Sequence, residues 1–82
     1  MLYYIEYTDC FGGEANYSWV RRWIVKAKTP RGALRKVSPV YWRHDYDNRY
    51  VSVSGATCFF VDPIDAEEAL RIEAQYLNVE RV

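Results

Sequence analysis

The sequence predicts an α+β fold: one small domain, residues 1–82, in the order β-β-α-β-β-α, with an antiparallel sheet carrying its helices on one face. Three observations lead there. The chain is 82 residues long, which leaves room for a single core. Runs rich in tyrosine, tryptophan, valine and isoleucine lie in its first third and again past residue 50. Two stretches with helix-start signals separate or follow them.

Leu2 to Thr8 (LYYIEYT) reads as the first strand, rich in the aromatic and branched side chains that suit a pleated surface. Asp9 to Asn16 (DCFGGEAN) holds a Gly-Gly pair among turn formers and predicts a hairpin or wide loop, with Cys10 in the turn. Tyr17 to Lys28 alternates as a long second strand. One of its faces carries Tyr17, Trp19, Arg21, Trp23, Val25 and Ala27, and the other Ser18, Val20, Arg22, Ile24, Lys26 and Lys28. Neither face is purely polar.

Thr29-Pro30 starts a helix, because threonine caps free N–H groups and proline tolerates the first helical position. Ala33, Leu34 and Val37 form its apolar stripe, and Pro39 ends it at Ser38. Val40 to Arg49 (VYWRHDYDNR) fits either a loop or an irregular edge strand. Tyr50 to Ser54 and Ala56 to Val61, broken at Gly55, read as two strands or one bulged strand. Asp62-Pro63 marks a stop. From Asp65 the segment DAEEALRIEAQYL predicts the last helix, with Asp65 and Glu68 spaced as a capping box. Ala66, Ala69, Leu70 and Leu77 are expected to face the sheet, flanked by Ile72 and Tyr76.

Half the residues are hydrophobic and 27% charged, a globular composition. No apolar run approaches the roughly 20 residues of a membrane span, so no membrane partner is expected. MLYYIEYTD lacks the basic and apolar regions of a secretory signal, which makes a cytoplasmic location with reduced thiols the expectation. Cys10 and Cys58 form no CxxC pair and His44 is the sole histidine, so no metal site or cofactor is expected. Cys58, within ATCFFV, reads as a small buried hydrophobe.

The zero formal net charge hides a segregation. Residues 1–19 hold three acids and no Lys or Arg, residues 20–50 hold nine Lys or Arg against two acids, and residues 51–82 hold six acids against two arginines. A field of that kind steers charged partners, unless the basic segment simply pairs with the acidic last helix.

Catalytic inventory is thin. His44 adjoins Asp45, but neighbours on a strand point to opposite faces, and a solvated loop residue is the plainer account. FGGEAN lacks the GK[ST] that a phosphate-cradling loop requires. The expectation is a protein that is not an enzyme.

Aromatic residues make up 17% of the chain, too many for so small a domain to bury completely. Trp19, Arg21 and Trp23 share one strand face, with Arg22 on the other and Arg31, Arg35 and Lys36 on the helix that follows. Rings beside guanidinium groups suit protein–protein hot spots, and also single-stranded nucleic acid, where bases stack and arginines follow phosphates. These seven residues are the candidate partner-binding set.

Residues 11–22, FGGEANYSWVRR, resemble a group of small proteins encoded by bacteriophages and related mobile elements: a Y/F-rich strand, a GGEANY-type turn and a WVRR strand leading to a short helix. The resemblance covers the first 22 residues; the remaining 60 share only the β-β-α-β layout, which is similar to that of several anti-CRISPR proteins. It implies that Gly12 and Gly13 supply the turn, Glu14 and Asn16 its polar contacts, and Trp19, Arg21 and Arg22 an exposed strand, with no catalytic residue. A stoichiometric inhibitor of a host protein complex, such as a CRISPR effector, is the function so implied. A nucleic-acid-binding module using residues 20–50 is the second reading, and a homo-oligomer such as a dimer, joined through surplus aromatics, the third.

Overall fold

The computed structural model describes residues 1–82 as one α+β domain. Its elements are β1 (Leu2–Phe11), β2 (Glu14–Lys26), α1 (Pro30–Val37), β3 (Arg43–Tyr46), β4 (Arg49–Val51), β5 (Thr57–Ile64), α2 (Ala66–Gln75) and β6 (Val79–Arg81). The six strands form one sheet in the order β3-β4-β5-β1-β2-β6.

Two strands exceed the expected four. The unplaced segment 40–49 supplies β3, the edge strand, which turns at Asp47 and Asn48 into β4. Asp47 takes a positive φ of 45° there. The final residues supply β6, which pairs with β2 in parallel through Arg22–Val79, Trp23–Glu80 and Ile24–Arg81. The sheet is therefore mixed rather than antiparallel throughout.

The expectation of helices on one face is corrected by the topology. β2, β3, β5 and β6 all run the same way, so β2-α1-β3 and β5-α2-β6 are both parallel crossovers. They travel across the sheet in opposite directions, and right-handedness then places their helices on opposite faces.

Under α1 lies the main core. Tyr3, Ile5, Trp23, Val25, Tyr50, Phe59 and Val61 point to this side and pack on Ala33, Leu34 and Trp42. Tyr7 joins them, its ring 4.4 Å from Phe59 and 5.8 Å from Trp42, centroid to centroid. The Thr29 side chain accepts from Gly32 N–H at 3.0 Å, and the Ser38 N–H donates to Leu34 O, so α1 begins and ends as its sequence signals require. On the opposite face α2 buries Ala69 completely and brings Tyr76 over Arg22. Asp65 caps α2 by accepting from the Glu68 N–H at 2.7 Å.

The expected inward set on α2 needs revision: Leu70 and Leu77 are exposed, and so is Ala66. Ala69, Ile72 and Tyr76 lie at i, i+3 and i+7 and form the inward stripe, whereas Leu70 is rotated about 100° away from Ala69. Leu77 lies past the C-cap at Tyr76.

Several strand limits also move: β2 runs from Glu14 to Lys26 rather than from Tyr17 to Lys28, and β4 stops at Val51, leaving Ser52 to Ala56 as the turn into β5. β1 continues through Cys10 to Phe11, so Cys10 sits in a strand and only Gly12-Gly13 form the turn, with φ of +61° and +87°. Such values are free to glycine and match the twist of a two-residue hairpin. β5 runs through Pro63, which does not stop it. The Val61 N–H faces the β4 side, donating to Asn48 O at 2.9 Å. Pro63, two residues on, turns its missing N–H to that same side, beyond the end of β4 pairing.

Candidate interaction surface

The seven candidate residues do not form one surface. Trp23 is 6% exposed and belongs to the core beneath α1, so it is withdrawn from the partner-binding set. Arg22 lies on the α2 face with its side chain largely covered. Its Nε stands 3.4 Å from Glu6 Oε2 and its guanidinium 3.8 Å from the Tyr76 ring centre. Its role is to tie α2 to the sheet. Arg21 stays exposed beside the edge, 4.0 Å from Glu80 and over the outer side of the Trp23 ring. Trp19 is 41% exposed and packs one edge on Tyr7 at 4.9 Å.

Arg31, Arg35 and Lys36 lie together on α1, and their charges are uncompensated. Of the eleven basic side chains, Arg21, Arg22, Arg43, Arg49, Arg71 and Arg81 pair with carboxylates. The other five, Lys26, Lys28, Arg31, Arg35 and Lys36, have no acidic partner, and all fall between residues 26 and 36. The acidic C-terminal segment does not neutralise them. Glu73 instead binds Arg81 through two hydrogen bonds of 2.9 and 2.8 Å, which hold its carboxyl below the usual carboxylate range, and Glu80 faces Arg21. Lys36 reaches back to the carbonyl of Lys26, joining the end of β2 to the helix.

Beside this cationic stretch the chain leaves α1 through Ser38, Pro39, Val40 and Tyr41 to Trp42. Val40 and Tyr41 are 63% and 69% exposed, while Trp42 turns inward. Arg31 donates from Nη1 to the carbonyl of Trp42 at 2.9 Å, and its guanidinium lies 5.6 Å from the Tyr41 ring and 5.1 Å from the Tyr50 ring. A hollow of about 230 Å³ results, floored by Leu34 and Trp42 and walled by Arg31, Arg35, Val40 and Tyr41.

Lys26, Lys28, Val40 and Tyr41 were not among the candidates. The sequence did carry a signal for the cations: no Asp or Glu occurs between Glu14 and Asp45, so helix α1 has no local carboxylate to pair with. The exposed pair belonged to the one segment without periodicity.

Elsewhere polar groups serve the fold. Asp9 accepts from Asn16 Nδ2 at 2.9 Å, from Ser18 Oγ at 2.6 Å and from the Ser18 N–H at 3.2 Å. Those bonds hold its carboxyl down at about 2 and lock the hairpin. Buried Arg49 pairs with Asp45 at 3.1 Å and donates to the carbonyl of Gly13, pinning the hairpin tip over β4. His44 is exposed, with Nε2 2.7 Å from the Asp47 carbonyl oxygen, and makes no ion pair with Asp45. Cys58 is fully buried opposite Thr8, and Cys10 lies diagonally across the same strand pair, its N–H donating to Ala56 O. No three His, Cys, Asp or Glu side chains converge, and no helix is long and apolar enough to cross a membrane.

Comparison with protein-family models, with curated proteins and with solved structures finds no match to this chain.

Proposed function

We propose that this protein is a small stoichiometric binding protein that blocks a host protein complex by docking the α1 face against an acidic surface. An anti-CRISPR-type inhibitor of a CRISPR effector is the form this takes. The observation that carries the reading is the confinement of all five unpaired cations to residues 26–36, beside exposed Val40 and Tyr41. Unpaired charge on a rigid helix directs association, and an apolar rim next to it supplies contact area.

Size-exclusion chromatography with a panel of purified CRISPR effectors tests the reading. A stoichiometric complex is expected at about 0.1 M salt and is weakened near 1 M, where screening shortens to about 3 Å. Arg35→Ala and Lys36→Ala should each weaken it severalfold. Absence of co-elution with every effector at low salt overturns the proposal.

Nucleic acid is the second reading, favoured by the nearness of these cations to exposed Tyr41, whose ring offers a stacking platform. A gel-shift series with single-stranded DNA and RNA separates the two: phosphate contacts weaken steeply and linearly in log salt. A shift there without effector co-elution would replace the first reading by the second.

A further inference from the structure

We propose that the hollow between α1 and the Ser38–Trp42 segment is a carboxylate subsite: it takes one acidic side chain of a partner polypeptide, with the apolar residue beside that acid lying on Val40 and Tyr41. The inference deepens the docking proposal and rests on it for the partner being a protein.

The floor is rigid and apolar. Leu34 and Trp42 are 2% and 6% exposed, and the one polar atom of the indole, Nε1, already donates to Ser38 Oγ at 2.7 Å. Arg31 is fixed in advance by the Trp42 carbonyl and by the Tyr41 and Tyr50 rings, which leaves its other guanidinium N–H groups to serve a ligand. Preorganisation of this kind spares an incoming anion the cost of ordering a long side chain. Arg35 stands one helical turn further on, exposed and unpaired. Two arginines at i and i+4 repel one another in the free protein, so an anion set between them relieves a strain already present.

No residue lining the hollow is acidic. Asp45, the next acid along the chain, is occupied by Arg43 at 3.6 Å and Arg49 at 3.1 Å. The cavity, about 230 Å³, falls below the roughly 300–1,000 Å³ of sites that enclose a whole small ligand, and suits a side chain. Carboxylates match guanidinium planes in paired hydrogen bonds. An apolar floor penalises a dianion more than a monoanion, which favours a carboxylate over a phosphoryl group.

The test uses the full chain with two dipeptides, acetyl-Glu-Phe-amide and acetyl-Gln-Phe-amide, and with phenyl phosphate, followed by NMR of arginine Nε–H and tryptophan Nε1–H signals. The Glu dipeptide should move the Arg31, Arg35 and Trp42 signals saturably, with the Gln dipeptide about tenfold weaker. Arg35→Gln should weaken the Glu dipeptide about tenfold and leave the Gln dipeptide unchanged, while its melting temperature stays that of the parent. Equal affinity for the two dipeptides, or shifts confined to other arginines, overturns the proposal. Tighter binding of phenyl phosphate than of the Glu dipeptide overturns it in favour of a phosphoryl site. No effector is present in this titration, so its failure leaves the co-elution result untouched, and failed co-elution leaves the dipeptide result standing.

Discussion

Arg22 lays its guanidinium 3.8 Å from the centre of the Tyr76 ring, and this contact fastens the end of α2 to β2, one strand in from the β6 edge of the sheet. The arginine is largely covered and also faces Glu6, so the interaction is partly shielded from water. A cation over a ring contributes about 0.5–2 kcal/mol, depending on that shielding. Tyr76→Ala is therefore expected to destabilise the domain by about 1–2 kcal/mol in urea titration, and Tyr76→Phe by much less. An unchanged midpoint for Tyr76→Ala would show that α2 is held by Ala69 and Ile72 alone.

The two strand tryptophans should behave differently. Trp23→Ala empties a core position and is expected to cost about 3–5 kcal/mol, a large share of the roughly 5–15 kcal/mol typical of a domain. Trp19→Ala removes a ring that is 41% exposed and should cost about 1 kcal/mol. Thermal melts by far-ultraviolet circular dichroism would rank them.

Asp9 makes the hairpin sensitive to acid. Its carboxyl is held at about 2 by Asn16 and Ser18, below its ordinary value near 4 in an unfolded chain. The unfolded state thus binds the proton first, and the stability Asp9 contributes is present above about pH 4 and lost as pH falls toward 2. Denaturant titrations across that range should show the decline, and Asp9→Asn should flatten its part of it. Equal slopes in both proteins would remove Asp9 as the cause.

Cys58 is expected to be inert in the folded protein. Burial pushes its thiol up to about 12, with the neighbouring Cys10 adding to the effect. Iodoacetamide near pH 8 should label Cys58 only after unfolding, as read by peptide mass spectrometry. A raised thiol also favours the folded state only while protonated. That contribution is present below about pH 8.5 and lost as pH climbs toward 12. Burial of the Tyr4 hydroxyl, which donates to Glu6 at 2.7 Å, acts in the same direction.

Local signals were legible where one residue type settles the geometry: the Thr29-Pro30 start, the Gly12-Gly13 turn, the Asp65 cap and the burial of Cys58. What escaped was set by distant partners. β6 exists because three residues meet the outer edge of β2, and nothing in Val79–Arg81 alone marks a strand. Which tryptophan would be buried depended on where α1 ends over the sheet: it reaches Trp23 and stops short of Trp19, although the two share a strand face. The cluster of arginines and aromatics divided for the same reason, with Arg22 taken by α2 and Arg31 left to solvent and the rim of the hollow.

The C-terminal strand and Val82 cover β2 only from Arg22 to Lys26, so the outer backbone of Glu14 to Arg21 has no strand beside it. A straight, naked border of that length would invite copies of the chain to stack on one another. The left-handed turn of the backbone at Tyr17, with φ 57°, and the slipped register between Thr8 and Cys10 bend the ribbon just there, while Arg21 sets a charge at its end. The kink that shapes the hairpin thereby also discourages fibre growth from this uncovered stretch of β2.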